Sequence, residues 1–152
     1  MTGPKRIQRK RTPGWRLADA TSNPSGAVIV DRTSRYGNPF RISSAMEMFE
    51  LTEPAARKTA VESFDRWLAG SRTDWESHEA DLKRERILSN LHTLRGKDVA
   101  CTCGPDELCH GDTLLEWAAD PDLDDRIAKA RARVDQQRTA RGEKPLYDLK
   151  EP

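Results

Sequence analysis

Apolar positions along this chain change period several times, and each change predicts an element. Ala27-Val28-Ile29-Val30 is an unbroken apolar block between a Ser-Asn-Pro-Gly loop and Asp31, as in a strand buried on both faces. A second short block begins at Val99-Ala100, and a strand over Val99 to Cys103 would point the sulfurs of Cys101 and Cys103 to one face. Arg6 to Arg11 reads as a third strand or as a basic arm, stopped in either case by the turn Thr12-Pro13-Gly14.

Between these blocks the period is helical. Ser44 and Glu47 have capping-box spacing, so a helix opening after Ser43 or Ser44 would turn Met46 and Phe49 inward. Pro54 fits the first turn of a helix running to Leu68, with Ala60, Val61, Phe64, Trp67 and Leu68 as its apolar stripe. A third helix is expected over Glu76 to Leu94, closed by Arg95-Gly96, with His78 and His92 on its solvated side. Leu114, Leu115, Trp117 and Ala118 predict a fourth, with Asp112 or Thr113 as its N-cap.

Apolar strands separated by helices require crossover connections, so the fold class is α/β, a small domain with a mainly parallel sheet and flanking helices. A length of 152 residues suits one such domain. Asp120-Pro121-Asp122 reads as a break. It divides an α/β domain, residues 1–120, from a charged helical extension and tail, residues 121–152, that orders to its end only if Leu146 and Tyr147 dock.

Charge changes this picture at one place. Lys5, Arg6, Arg9, Lys10, Arg11 and Arg16 crowd the first sixteen residues with no acid among them, although the whole chain carries only +1. Such an arm is a candidate contact for nucleic acid or an acidic partner. No apolar run approaches the length of a membrane span, and no hydrophobic segment follows the basic start as in a signal peptide. A cytoplasmic protein without a membrane partner is the expectation, and its cysteines are expected to be reduced.

Those cysteines carry the candidate chemistry. All three, Cys101, Cys103 and Cys109, lie within ten residues of one another and next to His110. Three readings fit. Cys101, Cys103, Cys109 and His110 are a soft four-ligand set for zinc, although the adjacent Cys109 and His110 are awkwardly spaced for one ion. Cys109 at a helix N-terminus beside a protonated His110 would instead be a low-pKa thiolate, with Asp112 orienting the histidine, so Cys109, His110 and Asp112 are the candidate catalytic residues. In the third reading the thiols are small buried apolar groups.

A second stretch, Asp31 to Phe40, leaves the Val28 to Val30 strand with two arginines, hydroxyls and Gly37-Asn38-Pro39. Arg32, Arg35, Gly37 and Asn38 are candidate anion-binding residues. The competing reading of Gly37-Asn38-Pro39 is a rigid turn in which Asn38 bonds its own backbone and Phe40 anchors to the core. In open α/β sheets ligands bind beyond the carboxyl ends of the strands, so both stretches should meet in one crevice.

Two function classes follow. One is a domain that binds, or acts enzymatically on, a nucleotide or other phosphate-bearing small molecule. The other is a zinc-stabilised module whose basic arm contacts nucleic acid or protein. The blocks RIQRKRTPGW at Arg6 to Trp15, VDRTSRYGNPF at Val30 to Phe40 and LRGKDVACTCGPDELCHGDTLLE at Leu94 to Glu116 resemble, in this order, a bacterial and phage family of unknown function, DUF 4326. The resemblance spans about Arg6 to Trp117 and implies a small cytosolic domain. It implies no reaction, so function has to be read from the residues.

Overall fold

A computed structural model of the chain describes residues 3–147. Three strands, β1 (Arg6–Gln8), β2 (Ala27–Ile29) and β3 (Asp98–Cys101), form one sheet in the order β1-β3-β2, with both pairings parallel. All four residues of β3 are buried while β1 and β2 are only half-buried, which is why the last strand in sequence lies in the middle. The expected strand over Val99 to Cys103 starts one residue earlier and stops at Cys101, so Cys103 already belongs to the turn beyond the sheet edge.

The helices are α1 (Leu17–Ala20), α2 (Ile42–Phe49), α3 (Glu53–Leu68), α4 (His78–Leu88), α5 (His110–Ala119) and α6 (Leu123–Ala140), with a 3₁₀ turn at Leu91–Leu94. Thr52 caps α3 by accepting from the backbone N–H of Ala55, and Pro54 occupies the first turn, where a missing N–H costs nothing. From the predicted stripe, Ala60, Phe64, Trp67 and Leu68 are buried. Each large side chain so removed from water contributes roughly 1.5–3 kcal/mol. Helix α5 packs across β3 and β1 and against α3.

Three helix expectations are corrected. Helix α2 begins at Ile42 with Arg41 as an uncapped N-terminus, and it buries only Ala45. Met46 and Phe49 therefore face solvent. The helix expected over Glu76 to Leu94 ends at Leu88, because Asn90 is taken by other partners: its carbonyl accepts from Tyr36 Oη and Thr93 Oγ1 and its Nδ2 donates to the Arg86 carbonyl. At α5 the N-cap is Cys109, whose Sγ accepts from the Gly111 N–H, so neither Asp112 nor Thr113 caps it.

The charged C-terminal helix lies on the domain. Gly70, at φ +103°, brings its backbone so close to α6 that an added Cβ would stand 2.5 Å from the Ala130 carbonyl oxygen. Gln137 Nε2 donates to the Gly70 carbonyl at 2.7 Å across the same contact. Backbone N–H groups of Leu146 and Tyr147 donate to the carboxylate of Asp135, which docks the tail as far as it is described. The rest of the expected tail lies outside the described residues. Among the described residues no helix is long and apolar enough to cross a membrane.

Candidate functional site

The carboxyl ends of β2 and β3 release the two stretches that hold most of the candidate chemistry, and a cavity of about 540 Å³ opens between them. Cys101, Cys103, Cys109 and His110 line one side, and Arg32 and Asn38 line the other. Arg11, Arg41 and Arg57 also face the space. A parallel sheet puts both loops at one edge because all its strands end there.

The three cysteines cluster on the cavity wall. Their Sγ atoms lie within 4.8 Å of one another, and those of Cys101 and Cys103 are 3.8 Å apart. The three cysteines are thus close enough to hold a metal ion. Two N–H groups point at them: Gly111 N donates to Cys109 Sγ and Arg57 Nη1 to Cys103 Sγ, each at 3.3 Å. Contacts with the sulfurs of Cys103 and then Cys109 draw Cys101 well below the usual thiol range, while contacts with Cys101 and then Cys103, and burial, push Cys109 up.

His110 does not join this group. It is buried, its Nε2 lies 2.7 Å from the Val30 carbonyl oxygen, and a carbonyl can only accept, so Nε2 carries the proton. Nδ1 is left facing Cys109 Sγ at 3.7 Å. Burial lowers the pKa of the ring, which keeps it neutral. The expected protonated His110 beside Cys109 is therefore corrected, since the ring is neutral and offers Nδ1 to the sulfur, and of the four expected metal ligands the three cysteines, without His110, bring ligand atoms within 4.8 Å of one another. Asp112 is corrected as well: it accepts from Arg6 Nε at 3.1 Å and does not orient His110, whose partner is the backbone of Val30.

The anion-binding candidates divide. Arg32 is exposed and faces the cavity. Arg35 points away, donating to Asn90 Oδ1 at 3.0 Å beside Tyr36, and does not reach the thiol side. Gly37 serves a close approach: an added Cβ would lie 2.7 Å from the Cα of Arg32 and 2.9 Å from the Asp31 carbonyl oxygen. Asn38 borders the cavity with its amide already committed, Oδ1 accepting from Phe40 N and Nδ2 donating to the Ala60 carbonyl. The rigid-turn reading describes it, with Phe40 edge-on to Trp67 at 5.9 Å.

The basic arm is also divided. Arg6 has its side chain only 8% exposed and donates to the carbonyls of Gly104 and Glu107, holding the loop between Cys103 and Cys109 closed. Arg9 pairs with Asp31 at 2.8 Å. Burial would raise the Asp31 carboxyl, but bonds from Thr33 and Arg9 more than offset it and hold it low. Arg11 turns to the cavity, which leaves Lys5, Lys10 and Arg16 exposed on the outer surface.

Arg41 and Arg57 escaped the sequence reading. Arg41 directly follows Phe40, and extending that stretch by one residue would have included it. Arg57 gave no signal, because an arginine four residues after Glu53 on a helix looks like a solvated surface pair. Among the described residues Arg11, Arg32 and Arg41 form no ion pair, whereas Arg57 contacts Glu53 and Glu107.

A family model described as Domain of unknown function (DUF4326) matches residues 7–120. No curated protein and no solved structure matches the chain.

Proposed function

This chain belongs to the DUF4326 family, and we propose that its cavity at the carboxyl edge of the sheet binds a phosphate-bearing small molecule, a nucleotide or a related compound. One observation carries the reading: Arg11, Arg32 and Arg41 face one cavity without an acid partner among the described residues. Guanidinium groups gathered around a concave space repel one another, and an anion offering several oxygens relieves that repulsion while accepting bidentate bonds. A volume of about 540 Å³ is within the range of small-ligand pockets.

The thiols on the cavity wall give a bound ligand a soft, reactive neighbour, which is where turnover would occur if binding leads to it. Zinc is the ion we propose for the three cysteines, being borderline soft and content with thiolates. A cytoplasmic setting would keep those thiols reduced.

A thermal-shift panel of inorganic phosphate, sugar phosphates, nucleosides, nucleotides and dinucleotides tests the reading. Ligand at a hundred times Kd stabilises the folded state by about 2.7 kcal/mol, which raises Tm by roughly 5–10 °C for a domain of this size. The shift should vanish in Arg32→Ala and persist in Arg35→Ala. No shift with any phosphate compound, or an equal response to nucleosides lacking phosphate, overturns it.

A further inference from the structure

We infer that Cys101, Cys103 and Cys109 form a three-thiolate metal site whose fourth coordination position opens into the cavity and is filled by an exchangeable ligand. This deepens the ligand reading and rests on it only for what finally occupies that position. In a tetrahedral centre with metal–sulfur bonds of about 2.3 Å, sulfurs stand about 3.8 Å apart. Cys101 and Cys103 already stand 3.8 Å apart, and no pair among the three exceeds 4.8 Å, so closing the set around an ion needs a movement of about 1 Å at most.

The surroundings fit thiolates better than buried apolar thiols. An apolar thiol asks for no hydrogen-bond donor, yet the Gly111 N–H and Arg57 Nη1 are both aimed at sulfur. Donors of this kind orient metal ligands and spread their charge. Three thiolates around a divalent ion leave one net negative charge, and the guanidinium of Arg57 sits against it. The loop is braced independently: Glu107 Oε1 accepts from the Gly104 N–H at 2.6 Å, and Arg6 clamps the carbonyls of Gly104 and Glu107. Cys103 and Cys109 thus enter the cluster from the two ends of a fixed turn.

The fourth position distinguishes this site from a structural one. Structural zinc sites are closed by four protein ligands, whereas sites that handle ligands keep three and leave one position free. His110 is the neighbour that could close it, but although its Nδ1 lies 3.7 Å from Cys109 Sγ, neither of its ring nitrogens comes within 4.8 Å of all three sulfurs. All three cysteines line the cavity wall, so whatever completes the tetrahedron arrives from the same space that the arginines face.

Cobalt(II) is the probe. The full chain, purified reduced and without chelator or His tag, should bind one equivalent, giving a sulfur-to-metal charge-transfer band and the strong visible bands of a four-coordinate ion. Imidazole should then shift the visible bands while the charge-transfer band persists, and zinc should displace the cobalt. Cys103→Ser and Cys109→Ser should each weaken uptake about a hundredfold, with circular dichroism confirming that the variants remain folded.

Absence of uptake by the folded wild-type chain overturns the inference, as does a visible spectrum unmoved by saturating imidazole, which would mean a closed site. Oxidation that consumes two thiols at no cost to cobalt uptake would also overturn it. The two readings fail separately. Loss of metal binding with an intact Arg32-dependent phosphate shift removes only the metal site, and the reverse pattern removes only the phosphate ligand.

Discussion

The imidazole of His110 hangs from the carbonyl of Val30, with Nε2 donating across 2.7 Å between two residues eighty positions apart. The bond joins the first residue of α5 to the residue that follows β2, and so fixes the cysteine loop against the arginine loop. Val30 is fully buried and His110 nearly so, which leaves little water to replace the lost partner. His110→Ala would strand a buried carbonyl and open a void beside Phe64, whose ring is 5.1 Å away. A loss of about 2–4 kcal/mol is expected, readable as a lower urea midpoint at unchanged slope. An unchanged midpoint would show that the bond contributes nothing to holding the loops together.

Arg6 offers a second test, because its role differs from that of the rest of the basic arm. Its guanidinium is buried and bridges carbonyls on both sides of the Gly104 to Glu107 turn. Arg6→Ala should cost about 2–4 kcal/mol by leaving those acceptors short of donors, and Arg6→Lys should recover only part of it, since one ammonium cannot span the fork. Lys10→Ala, at an exposed position, should stay within about 0.5 kcal/mol of wild type. Equal effects of Arg6→Ala and Lys10→Ala on thermal unfolding would return Arg6 to the solvated arm.

Which features the sequence reveals depends on how far away each residue's partner lies. The apolar blocks at Val28 and Val99 and the stripe of α3 are local patterns, and a parallel sheet of any register gathers their following loops at one edge. That much was legible. The end of α4 was not, because Tyr36, more than fifty residues upstream, takes the Asn90 carbonyl. The inward face expected of α2 failed for a related reason: a helix burying only Ala45 leaves Met46 and Phe49 in solvent, whatever its period. Asp112 looked like a helix cap and a partner for His110 by proximity in sequence, yet Arg6 claims it from 106 residues away.

Gly37 tests whether the arginine loop needs its close approach. Its φ is ordinary, so the demand is steric: a Cβ would meet the Cα of Arg32 at 2.7 Å and the Asp31 carbonyl oxygen at 2.9 Å, and both of those atoms belong to backbone that cannot swing aside. Gly37→Ala should cost about 1–3 kcal/mol and displace Arg32 from the cavity. The Arg32-dependent phosphate shift should therefore shrink in Gly37→Ala even at temperatures where the variant is fully folded. A normal ligand response with normal stability would mean that the loop adapts without loss.

Asp81 carries the pH prediction. It is fully buried and accepts from Arg84 at 3.0 Å, from Arg138 at 2.7 Å and from Arg72 Nε at 3.3 Å, so one carboxylate joins α4, α6 and the loop after α3. Burial alone would raise its pKa, but the bonds from Arg138, Arg84 and Arg72 outweigh burial and hold it below the ordinary 3.8. A carboxyl with a lowered folded pKa stabilises the fold fully above its unfolded value and loses that contribution as pH falls through the folded one. Asp81→Asn should therefore cost about 3–5 kcal/mol at pH 7, because buried guanidiniums lose their counter-charge. The gap between wild type and Asp81→Asn should narrow on acidification below about pH 4, as the wild-type carboxyl takes up its proton. Raising salt to about 1 M should change the gap little, because a pair out of contact with water is poorly screened. Urea unfolding of both proteins at pH 7 and pH 3 measures this directly, and a gap of equal size at the two pH values would show that Asp81 is not held as the ionised partner of the three arginines.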